Sequence, residues 1–351
     1  MAENLDTSGT SEQTPEDSEV TTLTLNDVLE LEDEMIQDAA AVLGASNDKA
    51  CSYSDGYLKR QALYSCLTCI PESKEDPEKG AGICLACSYH CHDGHELVEL
   101  YTKRNFRCDC GNSKFKGVKC NLCNNKEELN ETNKYNQNFS GIYCVCHRPY
   151  PDPEDPLPDE MIQCIICEDW YHSRHLGVEI PSGPFAEMIC GSCVSKHEFL
   201  LHYDGSKPKV MGEGECKKPV SKSETVGAKF WQDLAWRGEL CRCDECLEMY
   251  KTQNVMFLID AEDPVHLYEE KGKAKAKEVV ETHNRNFMNS LDRVQLVEAI
   301  AGYNDLKENL AEYLKKFVEN KKVVKEEDIR EFFDGMMARK KQKVSVPPFC
   351  H

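Results

Sequence analysis

Cysteine and histidine recur through this chain at spacings that suit a metal ion. Between positions 51 and 123 the order is Cys51, Cys66-x2-Cys69, Cys84-x2-Cys87, Cys91, His92-x2-His95, Cys108-x-Cys110 and Cys120-x2-Cys123. Between 144 and 193 it is Cys144-x-Cys146, Cys164-x2-Cys167, His172-x2-His175 and Cys190-x2-Cys193. A later triplet, Cys241, Cys243 and Cys246, needs a fourth partner, for which Cys216 and His266 are the candidates. Zinc takes four thiolates or imidazoles in a tetrahedron at roughly 2.0–2.3 Å, and two ligands two or three residues apart clamp one edge of it.

The elements that hold such ligands must be short, because little regular structure fits between them. Among 351 residues, 21 cysteines is a marked excess. No apolar leader or membrane-length run is visible, so the chain reads as soluble and unsecreted, where thiols bind zinc rather than pair as cystines. The net charge of -20 disfavours direct nucleic-acid binding and favours a basic partner. The expected fold class is therefore a set of small zinc-stabilised modules plus an α-helical C-terminal region, behind a disordered acidic N-terminus. Residues 1–47 are acidic and largely disordered, with helical spacing at Leu25, Val28, Leu29, Leu31 and Ile36. Modules follow at 48–124 and 140–196, separated by the polar stretch NNKEELNETNKYNQN. A linker spans 204–229, a mostly helical region with the CxCxxC triplet spans 230–340, and a basic tail fills 341–351. Apolar residues from Leu291 through Val294, Val297, Ile300, Tyr303, Leu306, Leu310 and Leu314 to Phe317 mark a long amphipathic helix. It should pair with a shorter one around EEDIREFFDGMM as a hairpin over the region of Trp231 and Trp236.

The segments CSYSDGYLKRQALYSCLTC, GICLACSYHCHDGHEL and RNFRCDCGNSKF resemble the UBR box, the zinc module of N-degron-recognising ubiquitin ligases. The resemblance implies three zinc ions, two sharing one cysteine. Cys66, Cys69, His92 and His95 would hold one ion. Cys51, Cys84, Cys87, Cys108, Cys110, Cys120 and Cys123 would hold the other two, with Cys87 bridging and Cys91 spare. Cys123 stands where many family members have histidine. The family binds a basic N-terminal residue through carboxylates, of which Asp109 matches one, while Asn112 stands where the motif has another acid.

The second module resembles a PHD finger, a cross-braced fold. Cys144, Cys146, His172 and His175 would hold one zinc and Cys164, Cys167, Cys190 and Cys193 the other, with His175 replacing the family's cysteine. In methyl-lysine readers of this family an aromatic cage occupies positions matched here by Tyr143, Tyr150, Met161 and Trp170. A quaternary ammonium over aromatic faces gains about 2 kcal/mol or more when desolvated. The same side chains would otherwise serve as ordinary packing. Asp152, Glu154, Asp155, Asp159 and Glu160 form an acidic segment suited to a histone tail.

Together the resemblances imply an E3 ubiquitin-protein ligase, or its substrate-recognition part, in the family member that pairs a UBR box with a PHD finger. They imply five zinc ions, six if the late triplet is a site. The partners implied are a histone tail (H3, with methylated lysine), a ubiquitin-conjugating enzyme and a protein substrate, with no membrane. No nucleophilic catalytic cysteine can be placed, so the finger itself would recruit the conjugating enzyme. A non-enzymatic chromatin reader or scaffold is the competing class. The expected location is nucleus and/or cytoplasm.

Overall fold

The computed structural model describes residues 25–155, 157, 159–203, 216–223, 227–290, 292–320 and 322–343. The first 24 residues, where most of the expected N-terminal disorder falls, and the basic tail from 344 onward lie outside the described residues. The chain divides into two units, residues 36–279 and residues 1–35 with 280–351. Their boundaries fall within two helices, α1 (Leu25–Leu43) and α6 (Val265–Ser290).

In the larger unit a three-stranded antiparallel sheet carries the first module. Its order is β2 (Gly82–Cys84), β1 (Leu58–Cys66), β3 (Leu97–Phe106). The β1–β3 pairing shifts register between Ala62 and Tyr64, so β3 carries a bulge there. Tyr101, in the bulge, has φ 58°, a conformation that costs a non-glycine residue about 1–2 kcal/mol. Helix α2 (Leu85–His90) follows β2 directly.

The finger contributes two small ladders. β4 (Met161–Gln163) pairs with β5 (Trp170–His172), and β6 (Glu187–Ile189) pairs with β7 (Lys229–Trp231), with α3 (Gly191–Lys196) after β6. β7 lies in what the sequence suggests is linker and the start of the next region. It brings Trp231 onto the finger, where it stacks on Trp236 at 4.1 Å between ring centroids. Trp236, in α4 (Ala235–Glu239), donates its indole N–H to Glu187 at 2.8 Å. The tryptophans thus pack on the finger itself, in one core with Met188, Leu200, Tyr250 and Leu258. Helix α5 (Asp244–Thr252) completes this core.

The polar stretch between the modules is not a solvated spacer. Asn130, Asn133, Asn138 and Phe139 are buried, and Phe139 stacks on Phe106 of β3. Asn138 donates to Asp169 of the finger at 2.6 Å and accepts from Lys103 of β3 at 3.0 Å. Beside it lies a buried ionic hub. Arg60 and Arg104 of the sheet face Glu168 of the finger at 3.3 and 3.5 Å, and Arg104 pairs with Asp263 at 2.5 Å. Arg237 bridges Glu187 (2.7 Å) and Asp263 (3.0 Å). Removing one partner of such a buried pair costs about 3–5 kcal/mol, because the other charge is left uncompensated.

The smaller unit holds α7 (Arg293–Glu319) and α8 (Glu326–Lys343). An Asp292–Gln295 capping box starts α7. Its C-terminal end meets α8 through Tyr313, Phe317 and Phe332, and the Tyr313 hydroxyl donates to the Asp328 carbonyl at 2.7 Å. The expected apolar stripe is present, but Val294, Val297, Ile300 and Tyr303 remain exposed. Leu291 lies outside the described residues.

Candidate metal centres and an aromatic cavity

Five groups of four potential ligands lie within the first two modules, each with its donor atoms inside 4.8 Å of one another. In the first module Cys66, Cys69, His92 and His95 form one group, with Cys66 Sγ 3.4 Å from His95 Nδ1 and Cys69 Sγ 3.4 Å from His92 Nδ1. Cys51, Cys84, Cys87 and Cys108 form a second, and Cys87, Cys91, Cys110 and Cys120 a third, so Cys87 is the shared corner. In the finger Cys144, Cys146, His172 and His175 assemble at one pole and Cys164, Cys167, Cys190 and Cys193 at the other. Both histidine pairs suit zinc chemically. Burial, with His95 second, pulls His92 down to about 4, and burial with His175 lowers His172, which favours the neutral imidazole a metal requires.

One expected ligand is displaced. Cys91, read as spare, takes the third group's fourth corner, and the Asn121 amide donates to its sulfur at 3.3 Å. Cys123 instead lies 3.9 Å from Ser54 Oγ and points its thiol at the Asn125 carbonyl. The chain passes close to itself at Gly111, next to the third group. The φ of Gly111 is 79°, and a Cβ there would stand 2.4 Å from the Cys120 amide nitrogen. That close crossing leaves room only for glycine at 111 beside Cys120, which is in the group. The adjacency of Cys91 to His92 was the signal available in the sequence.

Asp109 does not face a ligand groove. It is fully buried, and its carboxylate accepts from the Gly82 amide (3.0 Å), Asn112 (2.9 Å), Asn130 (2.7 Å), Asn133 (2.9 Å) and the Tyr135 hydroxyl (3.0 Å). Burial pushes its pKa up against the pull of these donors. Asn112 is buried beside it, and its own carbonyl caps the Lys114 amide at 3.0 Å. The expected role of Asp109 in holding a basic N-terminus is corrected: it is the internal post on which the 125–139 segment is hung.

Tyr143, Tyr150, Met161 and Trp170 line one cavity of about 480 Å³. Trp170 lies opposite Gln163 and Met161 opposite His172 in the β4–β5 ladder, so zinc ligation at His172 fixes the adjoining wall. The cavity extends beyond the finger. Tyr64 of β1 and Glu99 and Tyr101 of β3 line it, as do Asp38, Val42 and Leu43 from the end of α1. The bulge in β3 aims Tyr101 edge-on at Trp170, 5.4 Å between centroids, and its hydroxyl donates to Glu269. The PHD-finger resemblance reaches the finger's walls. It carries no signal for Glu99, Tyr101 or Asp38, which arrive from distant segments.

The acidic segment is mostly self-paired. Arg148 forks onto Asp152 with two bonds of 2.8 Å, holding its carboxyl down to about 2, and also reaches Glu154 at 2.6 Å. Arg174 pairs with Asp155, and with Asp159 at 3.1 Å. Of this segment's described acids only Glu160 is left without a side-chain partner.

Paired zinc modules of these two kinds define a UBR-box and PHD-finger protein. Residues 50–126 match the family described as "Putative zinc finger in N-recognin (UBR box)", residues 138–204 the UBR7-like PHD finger, and residues 284–344 the UBR7 C-terminal region. The chain belongs to the UBR7 family. It is 41% identical to the human protein named "Putative E3 ubiquitin-protein ligase UBR7", covering 92% of this chain and 94% of that one. Protein mlo2 of Schizosaccharomyces pombe is 33% identical over 89% of this chain and 94% of its own. A shorter match, 33% identical over 20% of this chain and 9% of the other, is to human lysine-specific demethylase 7A. No solved structure matches.

Proposed function

We propose that this chain is the substrate-reading component of an E3 ubiquitin ligase, and that it reads a histone H3 tail through a methylated lysine seated on Trp170. The observation that carries the reading is the convergence of Tyr143, Tyr150, Met161 and Trp170 on one cavity, joined by a strained Tyr101 aimed at the indole. Backbone strain of this kind persists where a site over-determines it. The cavity also contains two carboxylates, Glu99 and Asp38. A mono- or dimethylammonium keeps an N–H to donate to them, and a trimethylammonium does not, so the lower methylation states fit best.

The ligase half rests on the names of the full-length relatives. Of the described cysteines in the two zinc modules, only Cys123 falls outside the five groups named above. Cys123, the thiol left over, points at the Asn125 carbonyl in the first module, so on this reading ubiquitin passes directly from a conjugating enzyme held on the finger to the bound substrate. The zinc ligands are the five groups named above, with Cys91 in place of Cys123. Zinc supplies structural cross-links there, and the residues fit it as closed four-donor sets.

The test is calorimetric titration of the full chain with H3 tail peptides in each methylation state, beside a ubiquitin-conjugation assay on nucleosomes. Trp170→Ala should weaken the methylated tail at least tenfold while sparing the unmethylated tail, and Glu99→Gln combined with Asp38→Asn should erase the preference for lower methylation. Equal losses for all tails would reduce the indole to packing. Absence of conjugates with any conjugating enzyme would favour a non-enzymatic reader.

A further inference from the structure

We propose that Cys216, Cys241, Cys243 and Cys246 form an additional structural zinc site, outside both zinc modules. Cys216 Sγ lies 3.7 Å from Cys246 Sγ and 3.8 Å from Cys241 Sγ. A tetrahedron with Zn–S of roughly 2.3 Å has edges of about 3.8 Å, whereas a disulfide needs about 2.05 Å. Cys241 and Cys246 are buried and Cys216 and Cys243 half-buried, so the group is enclosed without being sealed.

The local backbone repeats that of the other metal groups. Cys84 precedes α2 with ψ 167° and Cys87 lies in its first turn. Cys190 precedes α3 with ψ 156° and Cys193 lies in its first turn. Cys243 precedes α5 with ψ 160° and Cys246 lies in its first turn. In each case an extended residue swings its sulfur back beside that of the first helical turn. Backbone amides donate to sulfur in the same manner too: Lys217 to Cys241 at 3.1 Å, as Asn121 to Cys91 at 3.3 Å and Cys190 to Cys164 at 3.3 Å. Such donors offset the charge of a metal-bound thiolate.

The site fastens Cys216 to α4 and α5, the segment that also carries Arg237 into the ionic hub. The Cys241 amide in turn donates to the Tyr203 hydroxyl at 3.0 Å, linking the site to the end of the finger.

Native mass spectrometry of the full chain reads the site as a change in zinc number. Cys216→Ser and Cys243→Ser should each carry one zinc fewer than the parent, and Cys243→His should match the parent. An unchanged zinc number in both serine variants would overturn the site. Should those variants fail to fold, alkylation of the native parent decides: Cys216 and Cys243 should resist modification until a chelator is added. Prompt labelling of both thiols, or a mass showing them oxidised to a disulfide, would overturn it equally.

Discussion

Replacing Asn112 with aspartate puts two carboxylates in contact inside the first module. Asn112 donates to Asp109 at 2.9 Å, and all five neighbours of Asp109 are donors, an arrangement that suits its ionised form. In Asn112→Asp the donor becomes a like charge at about 3 Å, which costs about 5 kcal/mol at an effective dielectric near 20. The new carboxyl escapes part of this by taking a proton, which costs about 4 kcal/mol at pH 7 for a group of ordinary pKa near 3.9. The smaller figure bounds the effect, so the variant should lose about 4 kcal/mol, or about 10 °C of melting temperature for a unit of this size. The folded-state pKa of the introduced group is raised above its unfolded value, so the folded state binds the proton more tightly. The deficit should therefore shrink as pH falls from 7 toward 4. Differential scanning calorimetry at pH 7 and pH 5 reads both quantities, and titration with an arginine-initiated peptide should show no gain in affinity. The UBR-box motif points the other way, since it has an acid at this position. A melting temperature within 2 °C of the parent, or a tenfold gain in affinity for that peptide, would refute the placement of Asp109 as an internal post.

Cys91→Ser should lose one zinc and destabilise the first module, whereas Cys123→Ser should keep the parent's zinc content; mass spectrometry showing the reverse would restore Cys123 as the ligand. Acid should weaken the first module over a defined range, because His92 is pulled down to about 4 in the fold from an ordinary value near 6.5. Its folded pKa is depressed for a base, so the unfolded state takes the proton first, and stability present above pH 6.5 drains away as pH falls to about 4. Zinc binding to the neutral ring acts with the same sign. Chelator-detected zinc release across that window checks this, and a flat profile between pH 7 and pH 4.5 would contradict it.

Spacing made the metal chemistry legible, because a zinc tetrahedron demands donors in close pairs and leaves that demand in the sequence. It does not choose between Cys91 and Cys123: the resemblance assigns Cys123, whereas the fold gathers Cys91 with Cys87, Cys110 and Cys120. The Asn-rich stretch reads as spacer because asparagine counts as polar. Its amides are nonetheless buried, matched to Asp109 and Asp169, two acids that no local pattern pairs with it. The four finger residues that line the cavity are reached through the PHD-finger resemblance. Tyr101 and Glu99 are not, since a bulge between strands 35 residues apart in sequence is what aims them. The helical spacing from Leu25 onward is visible, but not that the far end of this helix lines the cavity.

The ionic hub distributes its signs unevenly along the chain. The first module brings cations (Arg60, Lys103, Arg104), the finger brings anions (Glu168, Asp169, Glu187), and the segment after them brings one of each (Arg237, Asp263). Neither module is electrically complete. A finger grafted in from a protein lacking these acids would strand two arginines in the interior, however well its zinc ligands matched. The same holds for a first module borrowed without its arginines. The two modules therefore match each other in charge as well as in shape, and an exchange joined at residues 125–139 would carry a buried-charge cost whatever the modules recognise.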